Sequence, residues 1–201
     1  GTISVALEIA SSNSYLCNKI DHWRCGKLRV MWSFDSNTKP ARSGGVMQVF
    51  NYDEAFSRNI GWVTDDEQQK LRRSHIAIGG LGGVGGVHLL TLARLGIGRF
   101  SIADFDVFDV VNFNRQVGAT VSSLQRQKID VLAEMALEIN PEINLRTFPL
   151  GVQQNSLEEF LEGVDVYVDG LDFFAFSARR LTFAACERKK IPVVTAAPLG
   201  L

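Results

Sequence analysis

Residues 76 to 86 read IAIGGLGGVGG, an apolar strand that runs into glycines where a helix should begin. Gly80, Gly82 and Gly85 fit the G-x-G-x-x-G spacing of a nucleotide-binding turn. In such a turn one glycine makes the bend, one lets backbone approach a phosphate, and one lets the helix pack closely on its strand. The helix that follows offers unpaired N–H groups and the positive end of its dipole to an anion. The motif belongs to α/β proteins, and by itself it points to a dinucleotide such as NAD or FAD.

The surrounding pattern agrees with an α/β fold. Residues 64–73, TDDEQQKLRR, are expected to form a helix with Thr64 as N-cap and Glu67 completing a capping box. A strand at 75–79 enters the glycine turn, and a helix from about 84 stops at Gly96. A second strand covers 99–104, and Ser123 is expected to cap a helix running to Asn140. NLRTF, VDVYVD and IPVVTA read as further buried strands, with helices near 156–162 and 174–189. Strands separated by crossover helices imply a doubly wound, Rossmann-like, mostly parallel sheet with helices on both faces. Such sheets bind ligands beyond the carboxyl ends of their strands, where the glycine turn, Asp104 and Asp172 all fall. Residues 1–51 are different in character. ISVALEIA and KLRVMWSF read as strands of a short β-rich N-terminal segment with no assigned role, so a boundary is set between 1–51 and 52–201.

Several polar residues after the glycines carry chemistry. Asp104 lies where an acidic residue can bond ribose hydroxyls, or else cap local amides. Asp106 suits loop structure or site support equally. Arg115 is a fork of donors matched to phosphate oxygens, and Asn112 can bond phosphate or ribose without adding charge. Lys128 stands in the first turns of a helix, against the dipole, which suggests an anionic partner; a solvated lysine is the alternative. NAD gives no reason for this second, cationic set.

Bulk properties narrow the classes. A formal net charge of −1 gives no overall basic footprint for nucleic acid. No run approaches the roughly 18 apolar residues of a membrane span, and no signal peptide is visible. Three cysteines make a poor disulfide framework and suggest a reducing, cytoplasmic setting. Cys186 falls at apolar spacing on a helix and reads as a buried structural thiol, and His75 and His88 read as structural. Cys17, His22 and Cys25 are too loosely spaced to argue for metal. The chain opens without Met and stops just after a strand, and both ends look cut.

Taken together, these motifs resemble the ThiF/MoeB/HesA superfamily, the adenylation domain shared with ubiquitin-activating enzymes. The likeness rests on Gly80-Leu81-Gly82-Gly83-Val84-Gly85, Asp104-Phe105-Asp106, Asn112-Phe113-Asn114-Arg115-Gln116, Lys128 and Asp169-Gly170-Leu171-Asp172. It covers roughly residues 52–201, a ThiF-type ATP-binding adenylation domain that looks truncated at its C-terminal side. The resemblance implies ATP with Mg²⁺, the metal held by Asp172. It implies nucleotide contacts from Gly80, Gly82, Gly83, Gly85, Asp104, Asp106, Asn112, Arg115, Gln116 and Lys128. Arg58, in FSRN, resembles an upstream arginine that crosses a homodimer interface to the partner's ATP. Two positions depart from the family pattern. Gln125 stands where glycine is common, expected to matter little at a helix start, and Phe173 stands where Asn follows the second Asp of the D-x-x-D turn.

The activity implied is an adenylyltransferase using Arg58, Arg115, Lys128 and Asp172. Its acceptor would be the C-terminal glycine of a ubiquitin-like sulfur-carrier protein. NFNRQ and KKIPVVT also resemble the tRNA threonylcarbamoyladenosine dehydratase branch, which activates a carboxylate on tRNA. Two further readings are an NAD-dependent oxidoreductase and a non-catalytic scaffold half. The first leaves Asn112, Arg115 and Lys128 idle, and retention of the charged set argues against the second.

Overall fold

The computed structural model of the chain describes residues 49–196. The strands expected at ISVALEIA and KLRVMWSF, and the Cys17, His22 and Cys25 group, lie outside the described residues.

Five parallel strands form one sheet in the order β3-β2-β1-β4-β5. They are β1 (His75–Gly79), β2 (Arg99–Ala103), β3 (Asn144–Phe148), β4 (Val166–Asp169) and β5 (Val193–Thr195). The helices are α1 (Tyr52–Ala55), α2 (Asp65–Arg73), α3 (Gly85–Arg94), α4 (Lys128–Ile139), α5 (Leu157–Phe160) and α6 (Phe176–Lys189). The order in which strands are added reverses at β1, because β2 lies on one side of it and β4 on the other. That reversal opens the crevice in which such folds bind ligands.

Strand alternation divides the core. Ile76, Ile78, Phe100, Ile102, Val166 and Val168 pack against Leu89, Leu92, Leu132 and Ala136 of α3 and α4. Ala77 and Tyr167 point the other way, toward Leu157, Phe160, Ala185 and Cys186 of α5 and α6. Residues one apart along a strand face opposite sides, so both faces of the sheet are covered, as its apolar strands require. Cys186 is fully buried, and burial pushes its thiol up to about 11, as a packing residue rather than a nucleophile. No helix among the described residues is long and apolar enough to cross a membrane.

Helix α2 begins as its sequence demands. The Thr64 hydroxyl accepts the Glu67 N–H at 3.3 Å, and the Glu67 carboxylate accepts the Thr64 N–H at 2.9 Å. Helix α4 begins differently. Ser123 does not cap it: that hydroxyl donates to the Gly118 carbonyl at 2.7 Å and accepts from the Thr120 N–H at 2.8 Å, closing an earlier turn. The chain then runs extended against residues 106–108, and the Lys128 N–H donates to the Asp106 carbonyl at 2.9 Å. The first helical amide thus finds a backbone acceptor from a distant loop, and α4 starts at Lys128.

Gln125 sits at the corner of this pairing with φ +63°, not at a helix start. This left-handed conformation is costly for a side chain and nearly free for glycine, which accounts for a glycine preference there. Gln125→Gly is therefore expected to raise stability by roughly 0.5–1 kcal/mol, the αL relief less the entropy glycine loses on folding. Denaturant midpoints of the two proteins check this; an unchanged or lower midpoint would show that the Gln125 side chain makes good the strain.

His75 lies at the opposite end of the sheet from the glycines. It is buried, with Nδ1 at 3.1 Å from the Gly163 carbonyl and Nε2 at 3.0 Å from the Ser101 hydroxyl. Nδ1 therefore carries the proton and Nε2 accepts. Burial, reinforced by the Arg146 guanidinium, holds the imidazole below its ordinary value, and Arg99 adds to this while Asp165 opposes it. A histidine depressed in the folded state takes up its proton more readily when unfolded. Its share of stability is therefore complete above about pH 6.5 and is lost as pH falls below that value. His75→Gln should accordingly lose less melting temperature than the parent between pH 7 and pH 5. Comparing the two slopes cancels the other titrating groups, among them His88, also lowered by burial, and Asp104, raised by burial.

Candidate nucleotide site

The glycine turn is built by backbone crowding. Gly80 has φ +83°, and a Cβ there would sit 2.4 Å from the Gly170 carbonyl oxygen. A Cβ on Gly85 would fall 1.8 Å from the Gly80 oxygen, so α3 can close on β1 only through glycine. Gly170 donates its N–H to the Gly79 carbonyl at 2.8 Å, docking the D-x-x-D turn directly on the glycine turn. Gly82 and Gly83 differ from these. A Cβ at either would meet the protein no closer than 3.8 Å and 3.5 Å respectively, an ordinary contact. The fold does not require their bareness, which leaves the backbone open to whatever fills the cleft.

That cleft has a volume of about 970 Å³. It is large enough for a nucleotide, being at the upper end of small-molecule sites. Its lining includes Gly80, Gly82 and Gly83 together with Asp104, Asp106, Arg115, Gln116 and Lys128. Asp172 and Phe173, from the turn after β4, line it as well. Sequence positions spread over more than ninety residues thus meet at the carboxyl ends of β1, β2 and β4.

Each charged group is held by a definite partner. Asp104 is buried; its carboxylate accepts the Leu81 N–H at 2.6 Å and the Asp106 N–H at 2.8 Å. Burial raises its carboxyl above the usual range, and these two amide bonds oppose that rise. Asp104 therefore ties the glycine turn, through one oxygen, to the loop after β2, through the other, and it lines the cleft. Lys128 is also buried, its ammonium 2.9 Å from the half-exposed Asp106 carboxylate. As the first residue of α4 it sets a cation at the positive end of a helix, where only anions are stabilised.

Arg115 is exposed, and its guanidinium donates to the Val111 carbonyl at 2.8 Å and to Asn114 Oδ1 at 3.0 Å. Gln116 beside it is buried, and its Oε1 has no partner. A buried acceptor left unpaired is costly, and here it lies on the cleft wall. Asn112 is placed elsewhere. It does not line the cleft; its Oδ1 accepts the Asp109 N–H at 3.0 Å and holds the loop that carries Arg115 and Gln116. Asp172 is exposed, and its Oδ1 accepts the Phe174 N–H at 3.1 Å.

Arg58 stands apart from this group. It lies exposed in a short 3₁₀ turn, Ser57–Asn59, and Asn59 donates to the Leu95 carbonyl at 3.2 Å. Leu95 closes the C-terminal end of α3, the whole length of that ten-residue helix away from the glycine turn. This is about 15 Å of helix, more than an arginine side chain spans.

Arg179 was not singled out by its sequence context. It carries an ion pair to buried Asp169 and binds three carbonyls of the Asp169–Phe173 turn. The available signal is a cation in the first turns of α6, where the helix dipole disfavours one.

A profile of the ThiF family matches residues 56–201. The chain belongs to the ThiF family. Among its relatives, the tRNA threonylcarbamoyladenosine dehydratase of Haemophilus influenzae is 31% identical over 156 residues, 77% of this chain and 59% of the relative. The sulfur carrier protein ThiS adenylyltransferase of Escherichia coli is 33% identical over 135 residues, 67% of this chain and 53% of the relative. The crystal structure of the E. coli tRNA dehydratase TcdA in complex with ATP superposes with a TM-score of 0.69 at 30% identity, over 74% of this chain and 60% of that one. This ThiF-family chain thus spans little more than half the length of these relatives.

Proposed function

We propose that this chain is the nucleotide-binding part of an ATP-dependent adenylyltransferase. The observation that carries the reading is that Arg115, Gln116, Lys128 and Asp172 line one cleft together with the bare backbone of Gly82 and Gly83. A dinucleotide turn alone would not need two cations and an exposed carboxylate. The names of the adenylyltransferase relatives, and the ATP in the dehydratase structure, support the same choice.

The chemistry asked of these residues is positioning and charge neutralisation. An acceptor carboxylate oxygen bonds the α-phosphorus of ATP while the bond to the β-phosphate oxygen breaks. Pyrophosphate leaves, and an acyl-adenylate remains. The carboxylate is already ionised, so no general base is needed. Lys128 and Arg115 meet the charge that moves toward the leaving pyrophosphate, within a site already organised for it. Gln116 offers its spare donor and acceptor to the nucleotide, and Asp104 its remaining lone pairs to ribose hydroxyls. Asp172 fits Mg²⁺, because a single hard carboxylate is enough where phosphates complete the shell, and only one of its oxygens has a protein partner. The metal would supply added neutralisation of the phosphates. Arg58 would serve the cleft of a second copy in a homodimer.

For the acceptor we favour the C-terminal glycine of a ubiquitin-like sulfur carrier. A tRNA-borne carboxylate is the second reading, supported by the dehydratase relatives. The test is pyrophosphate exchange by the full-length protein, with a sulfur carrier or a threonylcarbamoylated tRNA as acceptor. Exchange is expected with Mg·ATP and one of the two acceptors. Calorimetry that finds NAD bound far more tightly than Mg·ATP would sink the adenylation reading.

A further inference from the structure

We infer that Arg179 is a positioning residue whose guanidinium fixes the turn that presents Asp172 to the cleft. Its consequence for catalysis rests on the adenylyltransferase reading; its geometry does not.

Arg179 Nε donates to Asp169 Oδ2 at 2.7 Å. Nη2 donates to the carbonyls of Leu171 at 2.9 Å and Asp172 at 3.2 Å, and Nη1 to that of Phe173 at 3.2 Å. One rigid fork thus holds three consecutive carbonyls, a geometry that the single point charge of lysine cannot reproduce. The anchor of the fork is firm. The Asp169 side chain is 1% exposed, ends β4, and also accepts the Thr195 hydroxyl at 3.0 Å from the end of β5. The amides of the same turn are tied as well, Leu171 to Asp169 Oδ1 at 3.3 Å and Phe174 to Asp172 Oδ1 at 3.1 Å. Asp172 is itself exposed, and its Oδ1 is held by the Phe174 N–H of the same turn, so the backbone of the turn sets where its carboxylate stands. The ion pair also offsets a cation in the first turns of α6, which the helix dipole would otherwise disfavour.

Arg179→Lys in the full-length protein tests this, because lysine keeps the charge opposite buried Asp169 while giving up the three-carbonyl fork. Expected are a melting temperature close to wild type and amide exchange at Leu171 and Phe174 at least tenfold faster, with the β1 amides unchanged. The Mg²⁺ concentration for half-maximal pyrophosphate exchange should rise at least tenfold, with kcat at saturating metal within about threefold of wild type. A purely structural arginine would not separate these quantities. Wild-type amide exchange at the turn, or an unchanged Mg²⁺ requirement in an active protein, overturns the inference. Loss of the fold in Arg179→Lys overturns it too, since the residue would then be a stability element. If the wild-type protein shows no exchange at any Mg²⁺ concentration, the adenylation reading falls, and the amide rates alone decide whether the clamp exists.

Discussion

Lys128→Ala and Arg115→Ala are each expected to slow adenylation by about 2–4 kcal/mol of transition-state stabilisation, tens- to several hundred-fold, with the fold intact. The two residues reach this result from different surroundings. Arg115 is exposed and binds only its own loop, so truncation removes no core contact. Lys128 is buried, and its loss leaves the Asp106 carboxylate without its partner. That carboxylate is half exposed, so water can take the place of the ammonium at little cost. Alanine is also better than lysine at the first position of α4, where the dipole opposes a cation. The ligand-free ion pair is therefore expected to contribute little to stability. In the proposed mechanism this cation, already at the cleft, is shared with phosphate once nucleotide is bound. Pyrophosphate exchange paired with thermal melts checks both variants. Near wild-type exchange in both would remove their phosphate role, and a large fall in melting temperature for Lys128→Ala would make it structural.

What could be read from the chain follows the range of the interactions involved. The capping box at Thr64 and Glu67 and the strand at 75–79 depend on neighbours three or two residues away, and the structure has both at the expected positions. The doubly wound sheet was legible for the same reason, since apolar runs separated by helices leave few topologies. The start of α4 was not legible, because the partner of the Lys128 amide is a carbonyl 22 residues upstream. Ser123 has the right chemistry for a cap and spends it on another turn. The misreading of Gln125 follows from the same displacement. At the site, Arg115, Gln116 and Lys128 do line one cleft, whereas Asn112 has its oxygen committed within the loop. Nothing local distinguishes an asparagine that binds a ligand from one that closes a turn. Arg179 was missed because its role exists only once β4, β5 and α6 have met.

The sharpest expected result concerns Arg58. Within its own chain it is anchored at the far end of α3, through Asn59 and Leu95, away from the glycine turn. If it serves catalysis, it does so at a neighbour's cleft. Arg58→Ala alone should then be inactive, and Asp172→Ala alone should be inactive as well. Mixing the two lets subunits exchange, and random pairing makes half of the dimers mixed. In each mixed dimer the cleft of the Arg58→Ala subunit keeps its own Asp172 and receives Arg58 from the partner. The other cleft lacks both. One working site in half of the dimers gives a recovery near a quarter of wild type, as a two-fold interface requires. Pyrophosphate exchange on the mixture measures it, with mass-tagged subunits to confirm exchange. An arginine acting within its own chain predicts zero, because then every cleft in every dimer has lost one of the two residues. A merely structural Arg58 predicts something else again: the single variant would retain its activity, and mixing would have nothing to restore.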